Sequence, residues 1–433
     1  MQRTSVNVGL LGFGTVGTGV VRIISAHQED LVKQTGMGVN IHKILVRDRD
    51  KPRSVPGMEH LVTDRAEEIL QDPAIDVVIE VMGGIHPAKE YICAALERGK
   101  HVVTANKDLM ALYGAEILTL AKERGSDVFY EASVAGGVPI LRALEESFSS
   151  DRITKIMGIV NGTTNYILSK MSQDGASYEE VLKEAQALGF AEADPSSDVD
   201  GIDAARKMTI LSTLGFRVPV ALEEVDVKGI RGVTQDDIAF GKKLGYEIKL
   251  MGLAQRDDDK IEVSVEPTMV HHSHPLASVN GVFNAVYVYG EAVGETMFYG
   301  PGAGELPTAT SVVSDLVMVV KNMKLHVNGQ GMVAPYKEKR MKEETEKLSK
   351  YFLRMVVTDQ RGVLARITQL FADNNISLGQ VIQQPLPESE EAEIVLVTHE
   401  ITKHDLRQVL LALADMDVTK EIKSWYRVEG GDE

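Results

Sequence analysis

Near the N-terminus an apolar run, Val8-Gly9-Leu10-Leu11, breaks into Gly12-Phe13-Gly14-Thr15-Val16-Gly17 and then into helical spacing. Strand, glycine turn and helix in that order form the fingerprint of a dinucleotide-binding βαβ unit, and this constrains the chain more than any other feature. Gly12 permits the tight turn, Gly14 leaves a pyrophosphate room at the backbone, and Gly17 lets the helix pack on the strand. The helix start offers N–H groups and a positive dipole end to the phosphates.

Residues 1–130 continue the alternation. Short apolar runs at 41–46, 76–81 and 101–104 read as strands, with helical spacing at 64–70, 87–98 and 108–124. That order implies a doubly wound parallel sheet, an α/β Rossmann domain, with ligands at the carboxyl ends of its strands. Gly83-Gly84 and Thr104-Ala105-Asn106-Lys107 fall at such ends, so Gly83, Thr104 and Lys107 are expected at the cofactor. After the second strand come Arg47, Asp48, Arg49, Asp50, Lys51, Pro52 and Arg53. Arg47 leading a basic loop suits a ribose 2′-phosphate, so NADP(H) is expected ahead of NAD(H), while Asp48 keeps NAD possible.

Net charge is −17, which argues against a nucleic-acid partner. No apolar run nears the ~20 residues of a membrane helix, so no membrane role is expected. The chain enters a strand at once, so no leader peptide is expected. The single cysteine, Cys93, excludes an internal disulfide and points to a reducing, cytoplasmic setting.

From 131 to 320 the pattern changes to an α+β substrate and oligomerisation domain, with strands at 153–160, 260–265 and 281–289. Gly300-Pro301-Gly302-Ala303-Gly304 precedes helical spacing over 308–322; it reads either as a return to the cofactor domain near 300–325 that sets Gly304 at the cofactor, or as a simple chain reversal. The strongest chemical constellation is Asp194-Pro195-Ser196-Ser197-Asp198-Val199-Asp200-Gly201 followed by a helix over 202–214. Lys207 shares a stripe with Ala204, Ile210, Leu211 and Leu214, with Asp203 one turn before it. A lysine on such a stripe needs a partner, and Asp198, Asp200 and Asp203 are the candidates. The same pattern also reads as a snorkelling surface lysine.

Residues 321–350 read as a linker, with a polar helix or connecting segment over 337–350. After it, 351–428 reads βαββαβ: strands at 352–357, 376–383, 393–399 and 422–428, helices at 362–374 and 403–414. A ferredoxin-like module without a polar catalytic cluster fits binding or regulation.

Six segments carry a specific resemblance: GLLGFGTVGTGV, TANKDLMA, YEASVAGGVPI, NGTTNYIL, LGFAEADPSSDVDGIDAARKMTIL and GPGAGELPTA. In that order they resemble homoserine dehydrogenases of the monofunctional type, and VTDQRGVLARITQLFADNNIS resembles the start of an ACT domain. The resemblance implies reversible NAD(P)H-dependent reduction of aspartate 4-semialdehyde to homoserine. It casts Lys207 as proton donor and acceptor, Lys107 as a second lysine, and Asp198 near the reacting end. Glu192 and Asp203, with Gly189, would hold the amino-acid end of the substrate, and Phe13, Thr15 and Val16 would touch the cofactor. It further implies a monovalent cation, sodium, at Glu131 and the carbonyls of Val134, Gly136 and Val138. An amino-acid effector at the ACT domain and a homodimer or homotetramer complete the expectation. The rival readings are an aspartate-semialdehyde dehydrogenase, which needs a cysteine nucleophile for which Cys93 is badly placed, another amino-acid dehydrogenase, and a non-catalytic nucleotide and amino-acid sensor.

Overall fold

The computed structural model describes residues 4–51, 55–329, 334–387 and 389–431; Pro52 and Arg53 of the basic loop lie outside them. In chain order the first elements are β1 (Ser5–Leu11), α1 (Thr15–Ala26), α2 (Gln28–Thr35), β2 (Gly38–Leu45), β3 (Val62–Thr63) and α3 (Glu67–Leu70). They continue with β4 (Val77–Glu80), α4 (Ala88–Glu97), β5 (His101–Thr104), α5 (Lys107–Arg124) and β6 (Val128–Phe129). Next come β7 (Ile153–Ile159), α6 (Gly162–Asp174), α7 (Tyr178–Ala187), α8 (Ser196–Val199), α9 (Ile202–Phe216), β8 (Asp226–Val227) and α10 (Gln235–Lys243). The strands β9 (Tyr246–Asp257), β10 (Lys260–His271), β11 (Phe283–Gly290) and β12 (Gly294–Pro301) precede α11 (Glu305–Leu325) and β13 (Arg340–Met341). The last part is β14 (Leu348–Thr358), α12 (Val363–Asp373), β15 (Leu378–Pro385), β16 (Glu391–Thr398), β17 (Ile401–Thr402), α13 (Lys403–Ala414) and β18 (Thr419–Glu429).

The chain folds into two compact units: residues 1–156, 206–224 and 284–338, and residues 157–205, 225–283 and 339–433. The first holds a parallel six-stranded sheet in the order β3-β2-β1-β4-β5-β6, the Rossmann arrangement. The neighbouring strands β4 and β5 carry the apolar runs that burial on both faces requires: Val77, Val78, Ile79, Val102 and Val103 are fully buried. In this unit α11 packs on α1. The carbonyl of Glu305 would lie 2.6 Å from a Cβ at Gly19, and Arg22 Nη1 pairs with Glu305 Oε1 at 2.6 Å.

The second unit contains the βαββαβ module, its four strands in the antiparallel order β18-β14-β16-β15. Tyr351, Leu353, Met355, Ile367, Phe371, Ile394, Leu396 and Val409 build its core under α12 and α13. Thr268–Val270 of β10 run parallel to Arg427–Glu429 of β18, so β9 and β10 extend the module's sheet.

Several elements differ from the sequence reading for physical reasons. No helix forms over 337–350; Arg340 and Met341 pair instead with Lys260 and Ile261 of β10. Helix α11 begins at Glu305, ahead of Pro307, because a first-turn proline sacrifices an N–H that has no helical partner anyway. Strand β10 runs through Pro267, which falls between its pairings with β8 at Ser264–Val265 and with β18 at Thr268–Val270. Strand β9 escaped the reading because its run from Ile248 to Ala254 is buried throughout and shows no alternation.

Candidate active site

In the first unit the carboxyl edge of the parallel sheet carries three turns. At the first, Gly12 has φ +106 and donates its N–H to Leu45 O at 3.0 Å, and a Cβ there would meet Val81 O at 2.9 Å. A Cβ at Gly17 would lie 2.2 Å from Gly12 O, whereas one at Gly14 meets no atom within 4 Å. The glycines thus divide their work: two allow close packing and the middle one keeps space open at the start of α1. Gly14 and Thr15 are exposed, Phe13 and Val16 half-buried.

Glu80 joins the other two turns. It is fully buried at the end of β4, and its Oε1 accepts from Met82 N (2.8 Å) and Gly83 N (3.2 Å). Its Oε2 accepts from Thr104 Oγ1 at 2.6 Å, and Thr104 Oγ1 accepts from Asn106 N at 3.0 Å. Asn106 caps α5 through Leu109 N and donates to Gly84 O at 2.6 Å. Thr104 and Gly83 therefore bear on one another through a buried carboxylate that the sequence reading did not single out. Its signal was present: a lone charge in the run Val77-Val78-Ile79-Glu80-Val81-Met82.

Lys107 is the first residue of α5, half-buried, against the helix dipole. Asp108 Oδ1 and Arg206 Nε pair at 3.3 Å, which ties the first turn of α5 to Arg206 of α9. Lys107 and Lys207 each adjoin a member of that pair. At the end of β2, exposed Arg47, with Asp48, Arg49, Asp50, Lys51 and Phe13, lines a cavity of about 790 Å³. One oxygen of Asp48 already accepts from Asp50 N at 2.9 Å.

In the second unit Asn161 organises the acidic turn. As cap of α6 it accepts from Thr164 N (2.8 Å) and Thr164 Oγ1 (2.9 Å), while its Nδ2 donates to Asp198 Oδ1 (2.7 Å) and Asp203 Oδ2 (2.8 Å). One buried amide so holds two carboxylates together, and Asp203 lies one turn before Lys207 on α9. Asp200 accepts from Arg231, with Nε–Oδ1 at 2.5 Å and Nη2–Oδ2 at 3.1 Å. Gly189 (φ +77) and Glu192 lie in an exposed loop held to α6 by Thr163 Oγ1 donating to Phe190 O at 2.6 Å. Behind α6, Asn165 Nδ2 donates to Gly281 O at 2.9 Å. The same turn receives the buried Lys249, whose Nζ donates to Val279 O (2.7 Å) and Asn280 Oδ1 (2.9 Å) and whose pKa burial pushes down to about 8. The sequence reading missed Asn161 as a functional residue, although its place at a strand–helix junction marks a helix cap.

The loop after Glu131 belongs to the first unit. Both Glu131 carboxylate oxygens accept backbone N–H groups, from Leu141 (2.8 Å) and Arg142 (2.7 Å), and burial raises its pKa. Asp315, pushed up to about 7 by burial and by Glu131, accepts from Glu131 N at 2.8 Å and pairs with Arg142. Gly136 O accepts from Ser311 Oγ (2.7 Å) and Val138 O from Ile140 N (2.9 Å); Val134 is fully buried. Neutral carbonyls with one lone pair each to spare fit an alkali cation. Among the described residues no group of three or more His, Cys, Asp or Glu could hold a metal. Gly304 (φ +131) is the exposed cap of α11.

The model of the homoserine dehydrogenase NAD-binding domain matches residues 12–131, that of homoserine dehydrogenase 139–317, and that of the ACT domain 351–417. A homoserine dehydrogenase of Bacillus subtilis is 57% identical over 427 residues, covering 98% of this chain and 99% of the relative. The chain belongs to the homoserine dehydrogenase family. The homoserine dehydrogenase of Thiobacillus denitrificans superposes with a TM-score of 0.91 at 38% identity, covering 99% of both chains. A hyperthermophilic archaeal homoserine dehydrogenase in complex with NADPH gives 0.63 at 30% identity, over 73% of this chain and 98% of that one. As a member of this family the chain is an NAD(P)-dependent oxidoreductase with a nicotinamide-dinucleotide-binding domain and an ACT domain, and the sensor reading is not favoured. Among the described residues no helix is long and apolar enough to cross a membrane.

Proposed function

We propose that the chain interconverts aspartate 4-semialdehyde and homoserine, with the acidic turn and α9 as its chemical centre. The observation that carries this is Asn161, which clamps Asp198 and Asp203 together one helical turn before Lys207. Bound nicotinamide supplies or accepts the hydride. Lys207 gives a proton to the aldehyde oxygen as charge builds there, and withdraws it in the reverse direction. Lys107 stabilises the same oxygen. Asp203 and Glu192, with Gly189 leaving space, receive the substrate ammonium, and Asp198 lies toward the reacting carbon. Gly12 and Gly17 shape the loop in which Gly14, with Phe13, Thr15 and Val16, receives the pyrophosphate, and Thr104, Gly83 and Gly304 border the cofactor.

NADP(H) is preferred over NAD(H), supported by exposed Arg47 at the mouth of its cavity. The carbonyls of Val134, Gly136 and Val138, beside Glu131, would hold a sodium ion, whose charge would steady the loop after Glu131. Residues 1–130 with a return near 300–325 serve as the nucleotide domain, 131–320 as the substrate and dimerisation domain, and 351–428 as the effector domain, with 321–350 between. The ACT domain takes an amino-acid effector, and the chain works as a cytoplasmic homodimer or homotetramer. Lys207→Ala and Lys107→Ala test the role assignment. Lys207→Ala lowers kcat by ~10²-fold or more with cofactor affinity retained. Near-normal kcat in Lys207→Ala beside a dead Lys107→Ala would reverse the two roles.

A further inference from the structure

A second cavity, about 400 Å³, lies within the second unit. One wall is the last strand and last helix of the βαββαβ module: Ile422, Trp425 and Tyr426 of β18 and Leu410 of α13. The facing wall is the segment from Lys228 to Val233. Its size falls in the range of small-molecule sites.

The chemistry of the walls selects a ligand. No carboxylate lines the cavity. The polar groups on the β18 side are engaged: Ser424 Oγ donates to Asp237 Oδ1 at 2.5 Å, Tyr426 OH to Asp237 Oδ2 at 2.8 Å, and Lys423 pairs with Glu421. Lys228 differs. Its Nζ lies 4.2 Å above the Trp425 ring and donates to Trp425 O at 3.2 Å, and no described carboxylate reaches it within ion-pair distance. A cation facing aromatic and branched apolar walls fits a monocarboxylate with an apolar body, while the walls hold no carboxylate to pair with a ligand's ammonium group and Lys228 already occupies the Trp425 face and carbonyl.

The facing wall is also fastened to the acidic turn. Ile230 N donates to Val199 O at 2.8 Å, and Arg231 holds Asp200 and, at 3.2 Å, Ser196 Oγ. A Cβ at Gly229 would meet Val199 O at 2.3 Å, so the two backbones are in direct contact. We infer that this cavity binds a small apolar monocarboxylate and that its occupancy shifts the turn carrying Asp198, changing the affinity for substrate. The second half rests on the substrate role proposed for that turn.

Trp425 is the only tryptophan in the chain, so its fluorescence reports the cavity directly. The full chain without cofactor is titrated with 4-methyl-2-oxopentanoate and with leucine, which shares the branched body but carries an ammonium group. The oxo acid gives a saturable fluorescence change and leucine none. At saturation the homoserine KM changes about fivefold, with little change in kcat. Lys228→Met removes the cation, and Gly232→Leu fills space in which a Cβ meets no atom within 4 Å. Both variants keep the resting KM and lose both responses. No saturable signal, an equal response to leucine, or an unchanged response in both variants overturns the site. A normal signal with an unmoved KM overturns the coupling. A normal signal in a protein that never turns homoserine over leaves the cavity standing and counts against the catalytic reading instead.

Discussion

Replacing Gly14 and Gly17 by alanine, one at a time, separates cofactor binding from folding within a single loop. A methyl group at position 17 would start 2.2 Å from Gly12 O. A carbon and an oxygen need about 1 Å more, so either the Gly12 turn opens or α1 lifts from β1. Overpacking of this kind costs about 2–3 kcal/mol, which lowers Tm by about 5–10 °C in a domain of this size. A methyl group at position 14 meets no atom, and its φ of −86 suits alanine. Its only folding cost is the poorer cap, at most about 1 kcal/mol. It occupies the space where a pyrophosphate would accept from the first N–H groups of α1. Losing one charge-assisted hydrogen bond costs roughly 1.5–3 kcal/mol, or about 10- to 150-fold in cofactor Kd. NADPH fluorescence titration and thermal unfolding measure both quantities on the same samples. The reasoning fails if Gly14→Ala binds NADPH like the parent, or if Gly17→Ala melts at the parental temperature.

Asn161→Leu removes the amide between Asp198 and Asp203, so kcat/KM for homoserine falls by about 10²-fold while the Kd for NADPH holds; parallel losses in both would make Asn161 a folding residue only. Arg47→Ala weakens NADP more than NAD, since only NADP carries the 2′-phosphate; equal losses would reduce the basic loop to a solvated turn. Lys249 is a buried cation whose folded pKa, about 8, lies below its ordinary 10.5. Its charge penalty is therefore fully present below pH 8 and fades as the pH rises from 8 to 10.5, where the unfolded chain binds more protons. Relative to Lys249→Met, the parent gains roughly 3 kcal/mol of unfolding free energy between pH 7.5 and 10.5; a difference independent of pH contradicts this.

Where backbone chemistry is local, the residues spoke plainly. The glycine fingerprint located the turn after β1, the four-residue strand His101–Thr104 fell where its apolar run lies, and α13 occupies Lys403–Ala414 as its spacing required. The module order βαββαβ was equally legible, because each strand alternates or is bounded by turn residues. What stayed hidden depends on partners distant in the chain. Glu80 reads as a stray charge until Thr104 and the Gly83 turn close on it, and Asn161 reads as a cap until α9 brings Asp203 alongside. Asp200 looked equivalent to Asp198 and Asp203, yet Arg231, thirty-one residues on, takes it. The run Ile248–Ala254 of β9 has no periodicity because it is buried throughout, and burial of that kind erases the pattern from which strands are read.

The most direct test of the account is reduction of NADP and NAD by the purified full chain with homoserine as the only other substrate, followed by nicotinamide absorbance. The account predicts homoserine-dependent reduction of both cofactors, faster with NADP at limiting concentration. A folded chain that binds NADPH yet turns over neither homoserine nor aspartate 4-semialdehyde would contradict it.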